Sequence, residues 1–128
     1  MNETVGAVYV LIDPRNNVPF YVGCSINARK RYKTHIYTRN RPHPNNVGLT
    51  PTQQRIKLIC EQGYYPIMEV VEMVDSYRES RPVEDRWMRQ LVCRGYELTN
   101  VFTVMGIYGH FEKYPDQQFL SSRENATA

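Results

Sequence analysis

A chain of 128 residues and 15.1 kDa has room for one domain and not for two independent ones. Hydrophobic residues make up 41%, with ten tyrosines and four phenylalanines to supply buried area, and no window holds the roughly eighteen apolar residues of a membrane span, so a soluble cytoplasmic protein is expected. The net charge of +3 hides an asymmetry: residues 14–60 carry nine bases and no acid, leaving seven bases against thirteen acids elsewhere, which points to a surface that meets a polyanion such as nucleic acid.

Residues 7–13, AVYVLID, are β-branched and aromatic and predict a strand. Pro14, Asn16 and Asn17 make a turn, and VPFYVG at 18–23 predicts a second strand, completing a hairpin. Residues 10–20 separate Tyr9 from Tyr21, so a loop of three or five residues would place both side chains on one face; a loop of two or four would shift the register and separate them. Ser25 or Asn27 can cap a helix running to about Tyr37, with Ala28, Tyr32 and Ile36 inward and Arg31 and His35 together on a neighbouring face. The Pro- and Asn-rich segment TRNRPHPNNVGL predicts a loop. A second helix should start near Thr50 with Pro51 in its first turn, turn Ile56, Ile59 and Cys60 inward, and stop at Gly63.

PIMEVVEM predicts a third strand, and Ser80 and Pro82 open a third helix whose apolar stripe reads as Val83, Trp87 and Leu91, ending at Gly95. The tail SSRENATA predicts a frayed end. Cys24, Cys60 and Cys93 are odd in number and widely spaced, which excludes a disulfide framework and gives no zinc pattern; they read as free thiols.

This β-β-α-α-β-α order, with a tyrosine on each of the first two strands and Arg plus His on the first helix, resembles the GIY-YIG nuclease family over roughly residues 6–101. The first family tripeptide corresponds to Ala7-Val8-Tyr9 and the second to Tyr21-Val22-Gly23. Arg31 follows Tyr21 by ten residues and His35 follows by four more, as in the family. The run VEDRWMRQLVCRGYELTNV is similar to its third motif, with Glu84 as the acid and Asn100 as the terminal asparagine. Ala7 replaces a glycine, and valine replaces isoleucine in both tripeptides. A literal GIY at Gly106–Tyr108 has no Tyr-x-Gly strand after it and reads as coincidence.

The resemblance implies an α/β fold in which a small three-stranded antiparallel sheet is flanked by helices, spanning residues 1–102, with 103–128 as a C-terminal extension. It implies a divalent-metal-dependent endonuclease that hydrolyses phosphodiester bonds of DNA, RNA remaining open. Tyr9 would act as general base helped by His35, Tyr21 would orient water or contact phosphate, and Glu84 would hold one Mg²⁺ or Mn²⁺ ion. The residue types suit this chemistry. One carboxylate is enough for a Mg²⁺ ion that keeps most of its waters, and Arg31 can grip two phosphate oxygens in a fork that lysine cannot reproduce. A free tyrosine ionises near pH 10, so Tyr9 needs neighbouring positive charge to serve as a base. Gly23 would let a phosphate or the helix start come close, and Asn100 would tie the chain after the third helix to the catalytic strand.

Arg29, Lys30, Lys33, Arg39 and Arg41 are assigned to flanking phosphate contacts. Target choice would come from a homodimer, a protein partner, the Pro/Asn loop or the C-terminal segment. The competing reading from another class is a nucleic-acid-binding module that keeps the fold without cutting.

Overall fold

The computed structural model describes residues 5–42 and 48–100. The tripeptide at 106–108, the extension 103–128 and part of the Pro/Asn loop lie outside the described residues. Strands β1 (Gly6–Asp13), β2 (Val18–Ser25) and β3 (Ile67–Val74) form one antiparallel sheet in the order β2-β1-β3. Helices α1 (Ala28–Tyr37), α2 (Pro51–Glu61) and α3 (Ser80–Cys93) complete the expected β-β-α-α-β-α order, with a single 3₁₀ turn at Tyr77–Glu79 leading into α3. No helix among the described residues is long and apolar enough to cross a membrane.

The sheet divides the apolar interior in two. On one face Tyr9, Leu11, Phe20 and Tyr21 pack with Ile56 and Ile59 of α2 and with Tyr32 and Ile36 of α1. On the other, Val8, Val10 and Val22 pack with Met88, Leu91 and Val92 of α3. As the middle strand between two packed layers, β1 is apolar at nearly every position instead of alternating, because both of its faces are covered.

The helix starts follow from local chemistry. Asn27 caps α1 by accepting the Lys30 N–H at 3.0 Å. Thr50 and Gln53 form a reciprocal capping box at the start of α2, with Pro51 in the first turn. Gln53 also donates to the carbonyls of Thr38 and Arg41, both at 2.6 Å, and so fastens the end of α1 to the start of α2.

Three expectations change. The hairpin loop has four residues, Pro14–Asn17, closed by the Asn17 N–H on the Asp13 carbonyl at 2.7 Å, with Asn17 at φ 60°, a left-handed conformation that asparagine tolerates. Alone, that loop would have put Tyr9 and Tyr21 on opposite faces. A bulge reverses the shift: Ile12 faces Pro19 and Leu11 faces Tyr21, which leaves Phe20 without an opposite residue and places it beside Tyr21 in the same core.

The buried stripe of α3 is Glu84, Met88, Leu91 and Val92, rotated from the expected one. Val83 and Trp87 lie at the margin, where the Trp87 indole N–H donates to the Glu72 carboxylate at 2.9 Å and Arg86 pairs with the same carboxylate. An indole needs a polar partner, so a half-buried edge suits it better than the centre of the stripe.

The basic segment, finally, is not wholly free. Arg15 and Arg55 both bind the fully buried Asp13, at 2.6 and 2.9 Å, and Arg55 also lies over the Phe20 ring. Two of the nine bases are therefore structural, pinning α2 to the end of β1.

Candidate active site

The bulge in β2 is what assembles the site. Because it returns Tyr21 to the face of Tyr9, the two phenols stand 6.2 Å apart between ring centres, and His35 of α1 meets both rings edge-on at 5.9 and 5.2 Å. His35 and Arg31 occupy successive turns of α1, so the same helix face brings the guanidinium within electrostatic reach of both phenols. Arg31 stays open to solvent while Tyr9 is fully buried and His35 is 9% exposed. An exposed cation thus stands beside two buried phenols and a buried imidazole.

The Tyr9 hydroxyl and His35 Nε2 lie 2.8 Å apart. Arg31 lies near the Tyr9 oxygen, and the Tyr9 hydroxyl can donate its proton to His35 Nε2. That arrangement needs Nε2 bare, with the ring proton on Nδ1. Burial, with repulsion from Arg31 added, pushes the imidazole down to about 4, so it is neutral at pH 7 and able to accept.

Tyr9 itself corrects an expectation. Arg31 lowers its pKa, but burial and the neighbouring Tyr21 outweigh this and hold the phenol far above its ordinary value. Burial raises Tyr21 as well. Neither tyrosine is stored as a phenolate, so a basic role for Tyr9 requires a proton acceptor behind it, the position that His35 occupies.

Gly23 also acts differently from the expectation. It faces Tyr9 across the hairpin, and a Cβ there would lie 2.5 Å from both Cζ and Oη of Tyr9 and 2.8 Å from Cε2 of Tyr21. What comes close to this glycine is the pair of phenols. Asn100 holds β2 from its free edge: its amide donates to the Val22 carbonyl at 2.7 Å and accepts the Val22 N–H at 3.2 Å. Thr99 adds a bond from its N–H to the Phe20 carbonyl at 2.7 Å. Together these bonds satisfy edge groups of the strand that carries Tyr21.

Glu84 comes from the opposite layer. It is 5% exposed on α3 and lies beyond the first turn, where a helix dipole would account for an acid, and its carboxylate meets the cluster at the end of β2. Cys24 contacts it, Tyr21 and Arg31 lie within its electrostatic reach, and Arg81, largely exposed, is 3.5 Å away. Burial raises its pKa more than these cations lower it. A buried carboxylate so thinly compensated is chemically suited to a hydrated divalent cation. Among the described residues no three His, Cys, Asp or Glu side chains come together as a metal cluster, so the protein would supply Glu84 and leave the remaining positions to water or substrate.

Sequence reasoning did not single out Tyr77 and treated Cys24 as an ordinary thiol. Cys24 is close enough to both Tyr77 and Glu84 to influence their ionisation. Cys24 could have been suspected from its place next to Gly23; a tyrosine in a 3₁₀ turn leaves no periodic signal.

Among the flanking bases, Arg29, Lys30, Lys33 and Arg41 are exposed, whereas Arg39 donates to the Ile36 carbonyl at 2.7 Å and closes the end of α1. Comparison with known protein families, with curated proteins and with solved structures finds no match to this chain.

Proposed function

We propose that this chain is a GIY-YIG-type endonuclease that hydrolyses DNA phosphodiester bonds with Tyr9 as general base and Glu84 as the ligand of one Mg²⁺ or Mn²⁺ ion. The observation that carries this reading is the Tyr9 hydroxyl 2.8 Å from the neutral His35, with the exposed Arg31 beside it and the buried Glu84 within electrostatic reach of Tyr21 and Arg31. A purely structural cluster has no need of a buried, weakly compensated carboxylate and a solvent-facing guanidinium within electrostatic reach of each other.

Arg31 binds two non-bridging oxygens of the scissile phosphate and places phosphorus over the phenols. A water beside Tyr9 gives its proton to the Tyr9 oxygen as the Tyr9 proton passes to His35 Nε2. No free phenolate is formed, which is how a phenol of raised pKa can serve as a base. The oxygen of that water bonds to phosphorus, the P–O3′ bond breaks, and the proton held by His35 returns through solvent to the 3′ oxygen. The products are a 5′-phosphate and a 3′-hydroxyl. Tyr21 lines the water position and keeps the Tyr9 ring in place. A divalent cation held by Glu84 would supply neutralisation of charge on the phosphoryl oxygens and the leaving oxygen.

The test is nicking of supercoiled plasmid with Mg²⁺, Mn²⁺ or EDTA. Metal-dependent nicking that disappears in Tyr9→Phe and in Glu84→Ala supports the reading. Salt-dependent binding without cutting of any substrate would favour a non-catalytic nucleic-acid-binding module.

A further inference from the structure

The active site uses one flank of α1, and the other flank carries chemistry that the site does not use. Arg31 and His35 face the phenols, whereas Arg29, Lys33 and Tyr37, each four residues on from the last, run along the opposite side. Two adjoining cavities, about 540 and 480 Å³, open there between α1 and the segment that leads into β3; they share Tyr32 and Lys33. Tyr37 and Tyr65 line the first and Arg29, Pro66 and Met68 the second. Tyr32 forms a fixed floor, since its hydroxyl donates to the Pro66 carbonyl at 2.7 Å.

At the rim, Tyr37 is 77% and Tyr65 62% exposed, an unusual position for large aromatic rings on a basic surface. Arg29, Lys33 and Arg39 supply positive charge, and no carboxylate is among the described residues lining either cavity.

We infer that this groove holds an unpaired strand of the DNA substrate, with Tyr37 and Tyr65 as stacking platforms for bases and Arg29 and Lys33 on the phosphates. Exposed aromatic faces beside a line of cations match what single strands offer, free base faces along a polyanion. Duplex DNA keeps its bases stacked internally and would use the cations alone. Reach fits as well: a helix is about 10–12 Å across, so the groove lies within a few nucleotides of a strand bound at Arg31. This rests on the nuclease reading and narrows its substrate to DNA with a single-stranded segment beside the cleaved bond.

The test is fluorescence anisotropy of a labelled fifteen-nucleotide oligo-dT and of a labelled duplex of equal length, with the full chain in EDTA. Tyr37→Ala/Tyr65→Ala should weaken oligo-dT binding about tenfold or more and duplex binding less than twofold. Lys33→Ala should weaken both and reduce the salt slope by about one. Both rings are exposed, so thermal melts should match the wild type. Equal weakening on both probes, or none on oligo-dT, would overturn the inference. Plasmid nicking is scored in parallel: metal-dependent cutting without a stacking effect removes the groove and leaves the nuclease, while a stacking effect in a chain that never cuts does the reverse.

Discussion

Gly23 lies directly against the phenol of Tyr9, and a methyl group there would sit 2.5 Å from the Tyr9 oxygen that faces His35. Gly23→Ala must therefore move the rings. The expected result is a loss of about 1–3 kcal/mol of stability from overpacking, together with a fall in nicking of more than tenfold in protein that remains folded. Urea melts of Gly23→Ala, Tyr9→Ala, the double variant and the wild type should show the two changes coupled, with Gly23→Ala less harmful once the phenol is gone.

His35 predicts an acid-sensitive fold. Its folded value of about 4 lies below the ordinary 6.5, so protons bind the unfolded chain more readily between these limits. The stability due to neutral His35 is complete above pH 6.5 and is lost as pH falls toward 4, amounting to about 2–3 kcal/mol by pH 4.5. Melts at pH 7 and 4.5 should show this loss in the wild type and a smaller one in His35→Phe.

Glu84 predicts the opposite slope. Burial raises its value, so the charged form is the disfavoured one in the fold, and stability from this group is full below the unfolded carboxyl value and lost as pH rises through the folded one. In EDTA, Glu84→Gln should melt above the wild type at pH 7, with the gain shrinking near pH 4. A variant less stable than wild type at pH 7 would mean that Glu84 is a structural acid.

Asp13 separates stability from chemistry. Arg15 and Arg55 hold its carboxyl well below the usual carboxylate range, and it is fully buried. Asp13→Ala leaves two cations without their partner and should destabilise the fold by about 3 kcal/mol. Nicking per folded molecule should stay near wild type at low temperature, and melts paired with plasmid assays check both statements.

The elements were legible because each has a local cause: Asn27 and Thr50 as caps, β-branched runs for strands, Gly95 at a positive φ just after α3. Tyr9, Tyr21, Arg31, His35 and Glu84 could be picked out because they fall at the spacing of the family motifs that the chain resembles, whereas helix period alone paired only Arg31 with His35. What brings them together was not readable. The bulge at Phe20 answers a four-residue loop with a compensating shift, a balance between two local geometries that no hydrophobic pattern encodes. The margin position of Trp87 depends on Glu72 from strand β3, and the raised pKa of Tyr9 depends on burial by residues distant in the chain. Such properties arise from tertiary contacts, which spacing does not report.

The central claim, that Tyr9 passes a proton to His35 while Glu84 serves a metal, is tested most directly by plasmid nicking with Tyr9→Phe and Glu84→Ala beside the wild type. Both variants keep their rings or helix positions, and their circular dichroism should match the wild type. The account predicts Mg²⁺- or Mn²⁺-dependent nicking by the wild type, abolished by EDTA and reduced at least a hundredfold in each variant. Nicking by Tyr9→Phe at the wild-type rate, or cutting that persists in EDTA, would contradict it.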